Sequence, residues 1–383
     1  MFSPLLWRGV GGEVMSRLKI ILSGGGTGGH IFPAVSIANE IKSIVPDVEI
    51  LFVGALGKME MEKVPAAGYK IIGLPIAGIQ RKFTLANLKF PFLLIKSILK
   101  ARSIVKEFKP DVVVGTGGYA SGPLLRAAAS MGIPALIQEQ NSYAGITNKW
   151  LSKKASTICV AYEGMEQFFP KEKIILTGNP VRQDIKDIEQ KRSEGQQFFN
   201  LDPNRKTLLV VGGSLGAKGI NEAIASGLQV LAENNIQLIW QTGKPYFETA
   251  KVKTSIFSDR NIKAVDFISR MDLAYAVADC VVSRAGAGAV SELCIVKKPS
   301  ILVPLLTAAE DHQTKNAMSL VNKNAAILVR DDEAKEKLVK TAVALMKDDA
   351  KQSELSENAG KLALLNSANV IAHEVLKLAN YKS

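Results

Sequence analysis

Short apolar runs alternate with longer amphipathic segments along most of the chain, beginning near residue 18. Such runs, many of them β-branched, separated by helical segments are typical of βαβ units, whose strands form parallel sheets. The pattern therefore predicts an α/β protein. The predicted strands lie at residues 20–22, 50–53, 112–114, 135–137, 157–160, 207–211, 236–240, 263–265, 280–283, 300–303 and 326–329.

The two halves of the chain repeat the same order of features. Each half begins with an apolar strand that runs into a glycine-rich turn, and each has a later strand that ends in a second turn of small residues. Between the halves, residues 183–197 are polar and charged, which is typical of a linker. We predict two Rossmann-like domains with parallel sheets that face each other across a cleft, with ligands beyond the carboxyl ends of the strands. The four turns are Ser23-Gly24-Gly25-Gly26-Thr27-Gly28-Gly29, Gly115-Thr116-Gly117-Gly118, Gly212-Gly213-Ser214-Leu215-Gly216 and Arg284-Ala285-Gly286-Ala287-Gly288.

Length and composition agree with two folded domains. The chain has 383 residues, of which 47% are hydrophobic, which excludes a disordered chain. Its longest apolar stretches fall far short of the roughly 20 residues of a spanning helix, so no transmembrane segment is expected. Three widely separated cysteines indicate a reducing compartment. Residues 1–14 lack the apolar core of a signal peptide, and we expect a disordered extension before a start at Met15.

The net charge of +12 is concentrated in the first half of the chain. Between Arg81 and Lys109 there are eight basic residues and one acid, interleaved with Phe, Leu and Ile. A basic amphipathic segment is typical of a surface that lies on an anionic membrane, and an ordinary helix with solvated lysines is the alternative. Nucleic acid is disfavoured as a partner because no recognition motif is present. The candidate membrane residues are Phe83, Leu85, Lys89, Phe90, Phe92, Lys96 and Lys100.

The glycine turns could hold a phosphate. Gly24-x-Gly26-x-x-Gly29 satisfies the dinucleotide fingerprint, but the second strand does not end in the acid that would bind a ribose. A P-loop is excluded because Lys218 is followed by glycine. In all four turns, backbone N–H groups would be exposed at the start of a helix. Such groups can bind a phosphate or stabilise a developing anion. Neither an Asp-x-Asp pair nor zinc-ligand spacing occurs, so we expect neither a metal nor another cofactor.

His30 follows the first glycine turn directly. A histidine at a loop that faces the cleft is a candidate general base, and a helix-capping histidine is the alternative.

Several ordered motifs resemble the MurG family of bacterial peptidoglycan N-acetylglucosaminyltransferases. The resemblance extends from Met15 to near the C-terminus. It implies a GT-B glycosyltransferase that moves N-acetylglucosamine from UDP-N-acetylglucosamine to the C4 hydroxyl of the muramoyl sugar of lipid I. The product is lipid II, formed with inversion and without a required metal. The motifs are Leu22 to Ala34, Gly117-Gly118-Tyr119-Ala120-Ser121-Gly122-Pro123, Glu139-Gln140-Asn141, Gly178-Asn179-Pro180-Val181-Arg182, Gly212 to Ala217, Arg284 to Ala287, Val290-Ser291-Glu292 and Asp311-His312-Gln313-x-x-Asn316-Ala317.

The resemblance also implies roles for individual residues. His30 matches a proposed catalytic base, and Glu292 matches the residue that holds the ribose hydroxyls. Positions matched to the donor are Arg182, Ser214, Ile268, Ala287, Gly288, Ala289, Val290, Ser291, Glu292 and Gln313. Positions near the transferred sugar of the donor and the acceptor diphosphate are Thr27, Gly28, Gly29 and Asn141. Positions matched to the acceptor diphosphate are Gly118, Tyr119, Ser121 and Glu139.

The implied organisation is an acceptor and membrane domain over residues 15–180 and a donor domain over residues 181–365. A last helix, about residues 366–379, is expected to cross back onto the first domain, so that residues 366–383 belong to it. The implied location is the cytoplasmic face of the bacterial cell membrane, as a peripheral protein on the anionic inner-membrane surface. Two other functions remain open: a different GT-B enzyme acting on a UDP-sugar, such as a glycolipid transferase or an epimerase, and a non-enzymatic protein that binds nucleotide or anionic lipid.

Overall fold

The computed structural model describes residues 17–76 and 90–381, and within these ranges all strand pairings are parallel. The expected extension at residues 1–14 and the candidate membrane residues Phe83, Leu85 and Lys89 lie outside the described residues. The first sheet contains β1 (Lys19–Gly24), β2 (Glu49–Ala55), β3 (Lys70–Leu74), β4 (Val112–Gly117), β5 (Ala135–Glu139), β6 (Thr157–Val160) and β7 (Ile174–Leu176). The second contains β8 (Thr207–Val211), β9 (Gln237–Gln241), β10 (Ile262–Val265), β11 (Cys280–Ser283), β12 (Ser300–Leu302) and β13 (Ile327–Leu328).

Helices connect successive strands and cover both sheets. Those associated with the first half are α1 (Gly28–Ile44), α2 (Glu60–Ala66), α3 (Phe90–Phe108), α4 (Ser121–Ser130) and α5 (Ile146–Leu151). They are followed by α6 (Arg192–Phe198), α7 (Lys218–Ser226), α8 (Leu228–Glu233), α9 (Lys244–Thr254), α10 (Met271–Val277), α11 (Ala287–Val296), α12 (His312–Val321), α13 (Ala334–Lys347), α14 (Asp349–Lys361) and α15 (Ser367–Leu378). In the described part of the chain, no helix combines the length and the apolar character needed to cross a bilayer.

The strand order places the glycine turns at equivalent points of the two sheets. The first sheet has the order β3-β2-β1-β4-β5-β6-β7, and the second has the order β10-β9-β8-β11-β12-β13. In the first sheet the strand order changes direction between β1 and β4, and in the second between β8 and β11. In open α/β sheets, ligands bind beyond the carboxyl ends of the strands at such a point. The four glycine turns of the sequence follow these four strands. The predicted α/β architecture with two parallel sheets is confirmed.

Two strands were not predicted, and both lie at an edge of the first sheet. Strand β3 contains an internal glycine, Gly73, and β7 has only three residues, none of them fully buried. An edge strand pairs with a neighbour on one side only, so fewer of its side chains are buried. Its apolar run is therefore short and weak in the sequence.

The last helix completes the core of the first sheet. Ile371 and Val375 of α15 are fully buried, and they share one apolar cluster with Ile20 of β1 and Ile31 of α1. Each fully buried aliphatic side chain contributes about 1.5–3 kcal/mol. Helix α15 therefore packs against α1 and the first strand of the first sheet.

Candidate active site

The glycine-rich turn after β1 presents backbone N–H groups at the start of α1. Gly26 has a φ angle of +84°, which favours glycine, and Thr27 is the N-terminal cap of α1. The first turn of this helix, which includes Gly28 and Gly29, contains no acidic side chain. Because the first N–H groups of a helix have no helical partner, this end of α1 can bind an anionic group.

His30 lies in the first turn of α1 and is half-buried. Its Nδ1 atom is 3.0 Å from the carbonyl oxygen of Gly25. A carbonyl only accepts, so this hydrogen bond places the proton on Nδ1 and leaves Nε2 of the neutral ring as an acceptor. Burial lowers the pKa of His30 below its usual 6.5, while the bond to Gly25 and the charges of Glu139 and Glu60 oppose the shift and His312 adds to it. A neutral ring with an unprotonated Nε2 is what a general base requires.

The turn after β4 interlocks with the turn after β1. Gly117 and Gly118 have φ angles of +107° and +88°. A Cβ atom on Gly117 would lie 2.9 Å from Nε2 of His30, and one on Gly118 would lie 2.3 Å from the carbonyl oxygen of Gly25. The half-exposed ring of Tyr119 lies beside the first turn. Side chains are therefore excluded where the two turns meet, and His30 borders this contact.

Two side chains matched to the acceptor are buried and bonded within the protein. The Ser121 hydroxyl lies 2.9 Å from the backbone oxygen of Ser23 and 2.8 Å from that of Gly117. The Glu139 carboxylate accepts a hydrogen bond of 2.8 Å from the Asn148 amide and others from the backbone of the following loop. These contacts shape the loops after β4 and β5. A direct contact of Ser121 or Glu139 with the acceptor stays a prediction.

On the second sheet, the turn after β8 lines a cavity of about 580 Å³. Gly213 has a φ angle of +87° and open space where a Cβ atom would point, and the neighbouring Ser214 is exposed. The Gln241 side chain donates to the carbonyl oxygen of Gly213 at 3.0 Å and accepts from the N–H of Ile268 at 2.8 Å. Gln241 thus fixes the turn and the Ile268 backbone relative to each other.

The N-terminus of α11 reaches the same cavity. Gly286 caps this helix, Gly288 has open space around its α-carbon, and the first turn contains no acid. Ala289 and Gln313 line the cavity, and the side-chain oxygen of Gln313 accepts from the N–H of Leu305 at 2.9 Å. A second helix N-terminus is therefore available to an anion.

Only part of residues 287–292, which were predicted to bind the donor, lines the cavity. Val290 is buried in the core beneath the second sheet. The Ser291 hydroxyl accepts a hydrogen bond from the Asn179 amide at 3.0 Å. These two residues therefore support α11, while the residues before them form its open end.

Glu292 is held by two neighbours. The buried Tyr275 hydroxyl donates to Oε2 of Glu292 at 2.9 Å, and Nε of Arg182 lies 3.8 Å from Oε1. Burial raises the pKa of Glu292, and Arg182 and the Tyr275 hydrogen bond oppose the shift. Burial and the charge of Glu292 raise the pKa of Tyr275, which keeps the phenol protonated as a donor. The arrangement orients a carboxylate to accept hydrogen bonds from hydroxyl groups.

A buried asparagine joins the two halves of the chain at the cleft. Asn316 of α12 accepts from the backbone N–H of Ser142 at 3.0 Å and lies 3.1 Å from its hydroxyl. Its amide donates to Oδ1 of Asn141 at 3.1 Å and to the carbonyl oxygen of Ala285 at 3.3 Å. Asn141, matched to a ligand position, is therefore part of a network within the protein.

Asn179 forms a second bridge. It accepts from the Gln138 amide at 3.1 Å, and its own amide donates to the carbonyl oxygen of Gln140 and to Ser291. Together, Asn179 and Asn316 connect the loop after β5 to the loop that leads into α11 and to α11 itself.

Several of these supporting side chains had no role assigned from the sequence. Asn179 and Asn316 lie in motifs that carry the family resemblance, so the sequence could have indicated their importance. Glu60, Gln241 and Tyr275 gave no signal, because the turn or carboxylate that each of them holds lies 34, 28 or 17 residues away along the chain. In residues 17–76 and 90–381, no three His, Cys, Asp or Glu side chains are grouped so that they could hold a metal ion.

Two Rossmann-like sheets, each with an open helix N-terminus where its strand order reverses, form the GT-B architecture of glycosyltransferases. Residues 20–160 match the glycosyltransferase family 28 N-terminal domain, and residues 207–375 match the family 28 C-terminal domain. The chain belongs to glycosyltransferase family 28, in its MurG group. The family resemblance noted in the sequence is thereby confirmed.

Curated relatives cover nearly the whole chain. A protein of Parabacteroides distasonis is 55% identical over 96% of this chain and 100% of its own length. A protein of Phocaeicola vulgatus is 58% identical over 95% of this chain and 97% of its own length. Both are named "UDP-N-acetylglucosamine--N-acetylmuramyl-(pentapeptide) pyrophosphoryl-undecaprenol N-acetylglucosamine transferase". The crystal structure of Acinetobacter baumannii MurG has a TM-score of 0.77 at 28% identity and covers 94% of this chain and 99% of its own.

Proposed function

We propose that this chain transfers N-acetylglucosamine from UDP-N-acetylglucosamine to the C4 hydroxyl of the muramoyl sugar of lipid I, forming lipid II with inversion at the anomeric carbon. The names of the relatives support both substrates. The observation that carries the proposal is the position of His30, whose Nδ1 is bound to Gly25 and whose Nε2 borders the interlocked glycine turns.

The cavity of the second sheet fits the donor. Its two glycine-rich walls, at Gly213 and at the start of α11, would bind the diphosphate through backbone N–H groups. Glu292, oriented by Tyr275, would accept hydrogen bonds from the ribose hydroxyls. Arg182, Ser214, Ile268 and Gln313 complete this proposed donor site.

The first sheet would bind the acceptor. The open start of α1, at Thr27, Gly28 and Gly29, suits the diphosphate of a lipid-linked sugar, and Gly118 and Tyr119 lie beside it. Ser121 and Glu139, whose polar atoms are bonded inside the protein, would position these loops.

Transfer then requires one proton acceptor and one stabilised leaving group. Nε2 of His30 takes the proton of the C4 hydroxyl while that oxygen attacks the anomeric carbon of the donor sugar from the face opposite UDP. The bond between the anomeric carbon and the UDP oxygen breaks, and UDP leaves with the electron pair. The N–H groups at Gly213 and at the start of α11 stabilise the negative charge on the departing diphosphate. The imidazolium afterwards releases its proton to water.

UDP release measures the proposed reaction. With UDP-N-acetylglucosamine, we expect release only when lipid I or a short-chain analogue is present, and much less with UDP-glucose. Release that is independent of the acceptor, or equal for the two donors, would contradict the proposal.

Replacing His30 by alanine tests the base. We expect the turnover number to fall by about 10²–10⁴, the usual contribution of a general base. His373→Ala is the matched control, because His373 lies on α15 and bonds only the backbone oxygen of Asn369 among described groups. The control should keep native turnover, and a loss below tenfold for His30→Ala in a folded protein would reject the base.

We further propose that residues 15–180, with residues 366–383, form the acceptor and membrane domain and that residues 181–365 form the donor domain. Helix α3 supports peripheral binding to the cytoplasmic face of the membrane. Phe92, Ile95 and Leu99 are 76%, 57% and 62% exposed, and their spacing places them on one face of the helix. Lys96 is exposed beside them, and Phe90 is partly buried against the core. The amine of Lys100 donates to the backbone of the neighbouring strand β3, which ties it to the protein.

Vesicle co-sedimentation tests this surface. The double substitution Ile95→Ser and Leu99→Ser should reduce binding to anionic vesicles about tenfold or more, because two exposed side chains lose their burial in the lipid interface. Ile256→Ser, which removes a still more exposed side chain (77%) from the second half, should leave binding unchanged. Equal binding of the native protein and the double variant would reject α3 as the membrane surface.

A further inference from the structure

The peptide group between Gly25 and Gly26 is hydrogen-bonded on both sides. Its carbonyl oxygen lies 3.0 Å from Nδ1 of His30, and its N–H donates to Oε2 of Glu60 at 2.9 Å. One amide group therefore stands between a carboxylate and the imidazole of the candidate base.

Glu60 occupies an unusual place for a carboxylate. It lies at the start of α2 with no exposed surface, and its other oxygen, Oε1, accepts from the backbone N–H of Ala55 at 2.9 Å. Both carboxylate oxygens thus serve as acceptors, which fits the ionised, acceptor-only form. No ion pair of Glu60 is present among the described residues. Its negative charge is therefore directed mainly at the Gly26 and Ala55 amides.

A carboxylate bound to an amide N–H draws positive charge toward that hydrogen and increases the negative charge on the carbonyl oxygen of the same amide. Hydrogen bonds in such a chain strengthen one another. The Gly25 oxygen becomes a better acceptor for Nδ1–H of His30, so the ring is held in one tautomer and its imidazolium form is stabilised. A directly bound carboxylate does the same in catalytic triads.

We propose that Glu60 is a positioning residue for sugar transfer, which acts through the peptide group of Gly25 and Gly26 to hold His30 in its Nδ1–H tautomer and to strengthen it as a base. The inference rests on the proposed role of His30. Three charged or titratable groups act electrostatically on His30: Glu60 from α2, Glu139 from β5 and His312 from α12. Glu60 and Glu139 both raise the pKa of His30, and His312 lowers it.

Nitrogen NMR of the full-length native protein, labelled at histidine, tests the tautomer directly. The chain has three histidines, and the His30→Ala spectrum identifies the signal of interest. We expect Nδ1 of His30 to carry the proton in the neutral ring. A proton on Nε2 would overturn the proposal, whatever the behaviour of any variant.

Glu60→Gln tests the charge. Glutamine keeps the size of the side chain but loses the negative charge, so the pKa of His30 measured by NMR should fall. The acid limb of the turnover–pH profile should move to lower pH in parallel. The maximal turnover number should fall on the order of tenfold, which is less than the loss expected for His30→Ala. The KM for UDP-N-acetylglucosamine should stay native, because the donor cavity is on the other sheet.

Thr116→Val is the uncharged control. The Thr116 hydroxyl donates to the backbone oxygen of His30 at 2.7 Å, so its loss disturbs the same turns without a change of charge. This variant should leave the pKa of His30 unshifted. An unshifted pKa in folded Glu60→Gln, or an equal shift in both variants, would overturn the proposal. Native turnover of His30→Ala would instead reject the proposed base while leaving the measured link between Glu60 and His30 intact.

Discussion

Replacing Asn316 by aspartate tests the bridge between the two halves of the chain. The native amide donates to Asn141 and to Ala285, at 3.1 and 3.3 Å, in a position without solvent exposure. An ionised carboxylate of nearly the same shape would place oxygen against oxygen at both contacts. A buried charge of this kind takes up a proton instead.

The size of the effect follows from this protonation. A carboxyl group with an unfolded pKa near 3.9 that must stay protonated at pH 7 costs about 4 kcal/mol, and the cost changes by about 1.4 kcal/mol per pH unit. Because the pKa of the introduced carboxyl is raised by folding, its penalty is absent at low pH and grows as the pH rises. We expect Asn316→Asp to be destabilised by up to about 4 kcal/mol at pH 7 and by correspondingly less at pH 6.

Urea unfolding followed by tryptophan fluorescence measures the difference in free energy of unfolding between variant and native protein at pH 6, 7 and 8. Asn316→Ala is the control. It loses four hydrogen bonds, about 2–6 kcal/mol in total, but introduces no titrating group, so its difference from the native protein should not depend on pH. A pH-independent difference for Asn316→Asp would refute the buried bridge.

Two further predictions concern the donor and acceptor sides. Tyr275→Phe removes the hydroxyl that orients Glu292. The KM for UDP-N-acetylglucosamine should rise about fivefold, with little change in turnover. An unchanged KM in the UDP-release assay would contradict this role of Tyr275. Gly118→Ala forces a Cβ atom against the Gly25 backbone and should reduce turnover at least about tenfold, because the turn beside His30 must move. Gly132→Ala, also at a positive φ but with open space, should keep native turnover, and an equal loss in both alanine variants would reject the steric explanation.

The central strands and the glycine turns could be predicted from the sequence for a physical reason. Strands β1, β4, β8 and β11 are buried on both faces, so they read as continuous apolar runs. The turns at the ends of β1, β4 and β8 contain positive φ angles, which favour glycine. The edge strands β3 and β7 lack that constraint and were missed.

The side chains that hold the turns could not be predicted in this way. Glu60 lies 34 residues from Gly26, and Gln241 lies 28 residues from Gly213, so only the folded sheet brings them together. The partner of Lys100 could not be predicted from the sequence either. Its charge predicts membrane contact, but in the fold its amine is bonded to the backbone of Gly73.

The most direct test of the proposed transfer is the mass balance of one reaction. The protein is incubated with UDP-N-acetylglucosamine and a short-chain lipid I analogue, and UDP and all sugar products are quantified by mass spectrometry and NMR. We predict one UDP for each acceptor that gains an N-acetylglucosamine in β-1,4 linkage. An unchanged acceptor, with the donor either intact or converted to an epimer, would contradict sugar transfer to lipid I.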